Sequence, residues 1–137
     1  MPGPFYPKTG QVWLAGLVQT AGVNAVVKLY QQGLVTPTQD TTDTELDAAE
    51  ADYSGYAAIT VAAWNDPFLT ALGAAINFPS IEFRPNAATV SNVIGGAWIE
   101  DAAGVVVVII PFPKPVSMDG VLSAIPLSQL LRYGSGQ

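Results

Sequence analysis

From Ala25 onward the chain alternates short runs of β-branched and aromatic residues with glycine, proline, asparagine and aspartate. Such punctuation leaves room for strands and almost none for long helices. Residues 25–31 (AVVKLYQ) put Val27, Leu29 and Gln31 on one face and Val26, Lys28 and Tyr30 on the other, the period-two pattern of a strand. Further strands are expected at residues 57–64, 74–78, 81–84, 93–100, 105–112 and 121–127. Between them stand explicit turns: Asn65-Asp66-Pro67, Pro85-Asn86, Asp101-Ala102-Ala103-Gly104 and Ser117-Met118-Asp119-Gly120. The D-A-A-G connection suits a type I turn closed by a glycine at positive φ, so residues 93–112 form the surest hairpin. Gly95-Gly96 inside its first strand signals a bulge or a close approach by another backbone. Asp52-Tyr53-Ser54-Gly55-Tyr56 is a further turn, with Gly55 free to take positive φ.

The predicted fold class is mainly β, an antiparallel two-sheet sandwich or barrel-like domain with one short helix. That helix is expected inside residues 36–50 (TPTQDTTDTELDAAE), where Pro37 ends the extended run. Thr42 and Glu45 have capping-box spacing, and Thr44 with Asp47 is the alternative pair. Either choice sets acids in the first turns, where the helix dipole favours them. Residues 12–18 read as a strand or a short helix, too few for periodicity to decide. Residues 127–134 read as a last strand in preference to a helical tail. The expected organisation is a proline-rich N-terminal arm over residues 1–10, one β domain over 11–134 and a flexible tail over 135–137.

At 137 residues the chain suits one domain with a sizeable core. Half of the residues are hydrophobic and only 12% are charged, about half the usual share of charge. Neutral side chains must therefore cover much of the surface, which suits outer faces that touch other subunits. Cysteine and histidine are both absent. Their absence removes thiolate sites, disulfides and the commonest general base and metal ligand. The net charge is −6, and the five basic residues, Lys8, Lys28, Arg84, Lys114 and Arg132, are scattered. Nucleic-acid binding needs clustered cations, so none is expected. The purest apolar run, residues 105–110, is far short of the roughly 20 residues that cross a bilayer, and no membrane contact is expected. Residues 11–29 are interrupted by Gln19, Thr20 and Asn24 and do not read as a signal peptide.

Residues 40–52 hold six of the eleven acids. Their spacing lacks the central glycine and twelfth-position glutamate of an EF-hand, so they read as a solvated helix start with capping acids. Glu100 and Asp101 adjoin, but adjacent strand residues point to opposite faces, and Asp101 is better explained as the first residue of its turn. No G-x-S-x-G elbow, phosphate-binding loop or zinc pattern occurs, and with histidine absent no conventional triad assembles. The chain is therefore expected to be no enzyme, with no catalytic residues, cofactor or metal. Trp13, Trp64 and Trp98 could furnish a sugar-binding platform; core packing is the default for Trp64 and Trp98, both placed within strands.

Lys28-Leu29-Tyr30, Thr36-Pro37-Thr38, Asp40-Thr41-Thr42, Glu45-Leu46, Ala49-Glu50 and Asp52-Tyr53-Ser54-Gly55-Tyr56 follow one another in a distinctive order. Asn92, Ile94-Gly95, Asp101 with Gly104, Phe112 and Pro115-Val116 continue it. Over residues 25–127 this pattern resembles small virion proteins of tailed bacteriophages, of the capsid decoration (cement) or tail-associated kind. The resemblance implies a structural component of the virion, assembled in the host cytoplasm, with the major capsid protein or other virion proteins as partners and a homo-oligomeric state. Its motifs carry no chemistry. A tail or baseplate subunit, or a carbohydrate- or receptor-binding module at a tail tip, is the alternative. The chain departs from the pattern in its N-terminal arm and after Leu127, so a specific docking role is expected there. Phe5, Tyr6, Trp13 and Tyr133 are the candidate interface residues.

Overall fold

The computed structural model describes residues 8–71, 73–86, 92–118, 125–127 and 130–133. Its elements run α1 (Lys8–Ala21), β1 (Ala25–Gln31), α2 (Asp43–Ala48), β2 (Ile59–Val61), β3 (Phe68–Thr70), β4 (Gly73–Asn77), β5 (Ile81–Phe83), β6 (Asn92–Glu100), β7 (Val106–Met118), β8 (Ile125–Leu127) and β9 (Leu130–Tyr133). The fold is mainly β and every strand pairing is antiparallel. Among the described residues, sheets of order β2-β1-β6-β7, β3-β4-β9 and β5-β8 are open and form no closed barrel.

The largest correction to the sequence reading is α1. Residues 12–18 belong to a 14-residue helix, and Lys8, Thr9 and Gly10, read as arm, are its first turn. Residues 1–7, with Phe5 and Tyr6, and the tail at 135–137 lie outside the described residues. Gln11 and Ala15 are buried, with Val12 and Val18 packed beside them, and that stripe has helical period. Two glycines inside α1 each cost about 1 kcal/mol against alanine, so tertiary packing must hold the helix. It lies against β3, β4 and β9. Gln11 Oε1 accepts the Ala74 N–H at 3.0 Å, tying the helix to β4. Asn24, at φ 61°, then reverses the chain into β1.

The four-stranded sheet separates two apolar clusters. Val27, Leu29, Ala97 and Ile99 face the main core, which also holds Ala15, Trp64, Ile76 and Phe78. Tyr30 and Trp98 point the other way and pack under Leu46 and Ala49. Hence α1 and α2 lie on opposite sides of this sheet. The expected capping box forms: Glu45 N–H donates to Thr42 Oγ1 at 3.2 Å and Thr42 N–H to Glu45 Oε1 at 3.4 Å. The hairpin turn forms as read, with Gly104 at φ 89° and Asp101 Oδ1 accepting the N–H groups of Ala103 and Val105. Gly55 takes φ 90°.

Other boundaries differ from the sequence reading. The strand expected at 57–64 is only Ile59–Val61, and Trp64 lies beyond it, buried edge-on against Phe78 at 5.1 Å. β3 was not expected; it is fixed by its pairing with β4. β7 runs on to Met118 through Pro111, Pro113 and Pro115. A proline cannot donate to a ladder, and β7 is an edge strand, the place where sheets tolerate it. Register shifts at Ile94/Gly96 and Ile99/Glu100 interrupt its pairing with β6, and Pro113 and Pro115 fall in the first of them. Bulges and prolines together blunt a 13-residue strand that would otherwise recruit other strands. Replacing the three prolines by threonine adds three N–H groups to this edge strand and is expected to speed aggregation on incubation, measured by light scattering; an unchanged rate would show that the prolines do not guard the edge.

An aromatic group, Tyr53, Tyr56 and Phe83, closes one region of the core. Burial pushes the Tyr53 phenol up to about 12. Burial, then the hydrogen bond that Tyr56 donates to Glu50, also raises the Tyr56 phenol. Unfolded tyrosines ionise near their ordinary 10.0, while the folded chain keeps these protons. Above that pH the unfolded state binds fewer protons, so stability falls as pH rises, and below it these groups add no pH dependence. Tyr53 Oη is buried with no hydrogen-bond partner among the described residues. Tyr53→Phe is therefore expected to cost little or to stabilise, and to flatten the alkaline decline in urea midpoints between pH 10 and about 12. An unaltered decline would assign it to other groups.

Candidate functional site

The outward face of α1 carries Trp13, 66% exposed, and one turn later Leu17, 48% exposed. Residues four apart in a helix stack on one face, so the two form a single ridge. Thr9 and Thr20 flank it and are exposed; Thr20 Oγ1 donates to the Gly16 carbonyl at 3.1 Å. Lys8 is the only charged residue of the helix. On β3, against which α1 packs, Leu69 is 53% exposed, and Phe68, also exposed, points to the opposite face of the strand. Leu69 pairs with Ala74, the residue whose N–H α1 holds, which sets it next to the helix. Val23 follows the helix end and is also exposed. Among the described residues, five of the nine large exposed hydrophobic side chains belong to α1, the turn after it and β3. The others, Leu34, Val93, Val105 and Val107, lie on loops and on the β6–β7 hairpin.

The C-terminal end of α1 is fixed by a close approach. Gly22 N–H donates to the Val18 carbonyl at 2.7 Å. The Trp64 indole occupies the space that a side chain on Gly22 would need, with its Cδ1 2.7 Å from where a Cβ would stand. Gln19 Nε2 donates to Asp66 Oδ1 at 2.9 Å, so Asp66 is held at this end of the helix.

The acidic segment lies on the other side of the four-stranded sheet. Asp43, Glu45 and Asp47 are on α2, and a buried ion pair sits under it. Lys28 Nζ is 3.2 Å from Glu100 Oε2 and 3.7 Å from Asp47 Oδ1, and Trp98 Nε1–H donates to Glu100 Oε1 at 3.2 Å. Burial opposes the Lys28 charge, but Glu100, and farther off Glu50 and Asp47, outweigh it and raise the ammonium above its ordinary range. No group of three or more metal-ligating side chains comes together among the described residues. A cleft of about 230 Å³ between the end of α1, Trp64 and β7 is lined by one ionisable residue, Asp101, whose Oδ1 is engaged by its own turn. A groove of about 510 Å³ between residues 37–41 and β7 is lined by no ionisable side chain. No described helix is long and apolar enough to cross a membrane.

Of the candidate residues, Trp13 stands on the exposed ridge. Tyr133 is on β9, paired through its backbone with Ala74 in the sheet that α1 packs against. Phe5 and Tyr6 lie outside the described residues. Trp64 and Trp98 are buried, which leaves Trp13 as the only tryptophan available to an aromatic sugar platform. Leu17, Phe68 and Leu69 were missed. Leu17 follows from Trp13 once the segment is read with helical period; Phe68 and Leu69 carry no local signal beyond their apolarity. Comparison with protein-family models, with curated proteins and with solved structures finds no match to this chain.

Proposed function

We propose that the chain is a non-catalytic structural subunit that works by docking onto other proteins through the α1 face. In the particle that the sequence resemblance suggests, it is a capsid decoration protein of a tailed-phage virion. One observation carries the docking role: an apolar ridge, nearly free of charge, stands on the opposite side of the central sheet from the acidic segment. A surface so divided has one side suited to contact and one suited to water or a basic partner.

Quantitative mass spectrometry of purified virions tests the reading. A decoration protein is expected in hundreds of copies per particle. A handful of copies would instead indicate a tail or baseplate subunit, and absence from virions would remove both.

A further inference from the structure

We propose that the cleft between the end of α1, Trp64 and β7 binds a small neutral molecule with an apolar body and one carbonyl oxygen. The cleft measures about 230 Å³, half as large again as the roughly 150 Å³ apolar cavity that takes up benzene. One ring with a short substituent therefore fits. Of the residues that line it, Ala25 and Ile99 are buried, whereas Ala21 and Val107 are exposed. A ligand thus enters between the last two and comes to rest on the first two.

An unmet donor in the wall says what the ligand must carry. Trp64 is 6% exposed, and its Nε1–H is buried with no hydrogen-bond partner among the described residues. The ring packs edge-on against Phe78 in the core, while its Nε1 and Cδ1 are turned to Gly22, which shares the cleft wall. A buried donor left unpaired costs stability, and an acceptor carried into the cleft recovers that loss. Gly22 lies in the turn after α1 and has no side chain to move, so a small shift there admits the acceptor. Water is a poor occupant. Buried waters typically make about three hydrogen bonds, and apart from Asp101 every side chain of the lining is alkyl or aromatic. Asp101 also selects charge. Its Oδ1 serves its own turn, and a carboxylate beside the cleft repels an anion such as a fatty acid. The ligand class is therefore a ketone, aldehyde or ester.

Proton–nitrogen correlation spectra of the full chain test this. The three tryptophans give three indole N–H signals, and Trp64→Phe identifies the one that belongs to Trp64. Cyclohexanone is the probe, with methylcyclohexane as a similar body without an acceptor and cyclohexanecarboxylate as the anion. Cyclohexanone is expected to bind with a Kd of about 1 mM and to move the Trp64 indole proton downfield, while the Trp13 and Trp98 signals stay in place. Methylcyclohexane, and cyclohexanone on Trp64→Phe, should each bind about five-fold more weakly, the share of one hydrogen bond. The carboxylate should bind at least about ten-fold more weakly than the ketone. Ala21→Phe, a change at an exposed position, should fill the entrance and abolish binding with the urea midpoint kept. No binding of cyclohexanone at about 10 mM, binding that leaves the Trp64 proton unmoved, a carboxylate as tight as the ketone, or an Ala21→Phe chain that binds like wild type would overturn the proposal. The cleft shares no residue with the Trp13 and Leu17 ridge, so these results are independent of docking through α1.

Discussion

Gly96→Ala is expected to lower the unfolding free energy by about 3 kcal/mol, the upper range for forcing a methyl into a filled core. Gly96 stands opposite Tyr30 on β1 and Pro111 on β7, in the middle of the four-stranded sheet. A Cβ there would collide with the Tyr30 phenol and lie 2.5 Å from the Ile110 carbonyl oxygen. The ring end could move, but the carbonyl belongs to the neighbouring strand and has little room to yield. Tyr30→Leu in the Gly96→Ala background should thus recover only part of the loss. Gly95 makes a useful contrast: its nearest atoms would be 3.1 Å away, on Gln32 and Tyr30, so Gly95→Ala should cost clearly less. Urea midpoints of the three variants decide the matter, and equal costs at positions 95 and 96 would contradict the close approach seen at Gly96.

Lys28→Ala should cost a similar amount, about 3 kcal/mol, because it leaves the Glu100 carboxylate buried without its ion-pair partner. The Glu100 side chain is 8% exposed and the Lys28 side chain 21%. After the change Glu100 keeps the Trp98 indole donor but loses the ammonium. The reverse truncation is expected to cost less, since Lys28 reaches solvent more easily and retains Asp47. Trp98, whose ring centroid lies 5.8 Å from Lys28 Nζ, would feel both changes. A double-mutant cycle over Lys28 and Glu100 should give a coupling of at least 1 kcal/mol, roughly the floor for close networked charges. Purely additive costs would mean that the pair contributes nothing beyond packing.

The parts of the fold legible in the sequence are those fixed by local chemistry. Asp101 and Gly104 specify a turn whatever surrounds it, and Thr42 with Glu45 specifies a helix start. β1 coincides with its alternating run over Ala25–Gln31. What escaped depends on distant partners or on a longer window. The stripe of α1 becomes visible only across all of Lys8–Ala21, and Gly10 and Gly16 weaken the local signal within it. β3 has three residues and owes its conformation to β4. Three prolines mark an end to a strand by propensity, yet β7 continues through them because its outer edge has no ladder to serve.

The candidate surface divides in the same way. Trp13 was legible as a bulky aromatic in a charge-poor segment. Leu17 was hidden by the unresolved choice between strand and helix. Leu69 needed the packing of α1 against β3 before it meant anything. Trp64 is in the core, as its default reading had it, but beyond the strand it was assigned to, and its indole fills the space left by Gly22.

The claim that the chain docks through the α1 ridge is tested most directly by particle incorporation of Trp13→Glu. Trp13 is two-thirds exposed, 66%, so the variant should fold with wild-type circular dichroism and urea midpoint. Its copy number in purified virions, counted by mass spectrometry against wild type, is expected to fall at least ten-fold, a conservative loss for one central aromatic. A folded Trp13→Glu chain that enters particles at wild-type copy number would contradict docking through this face.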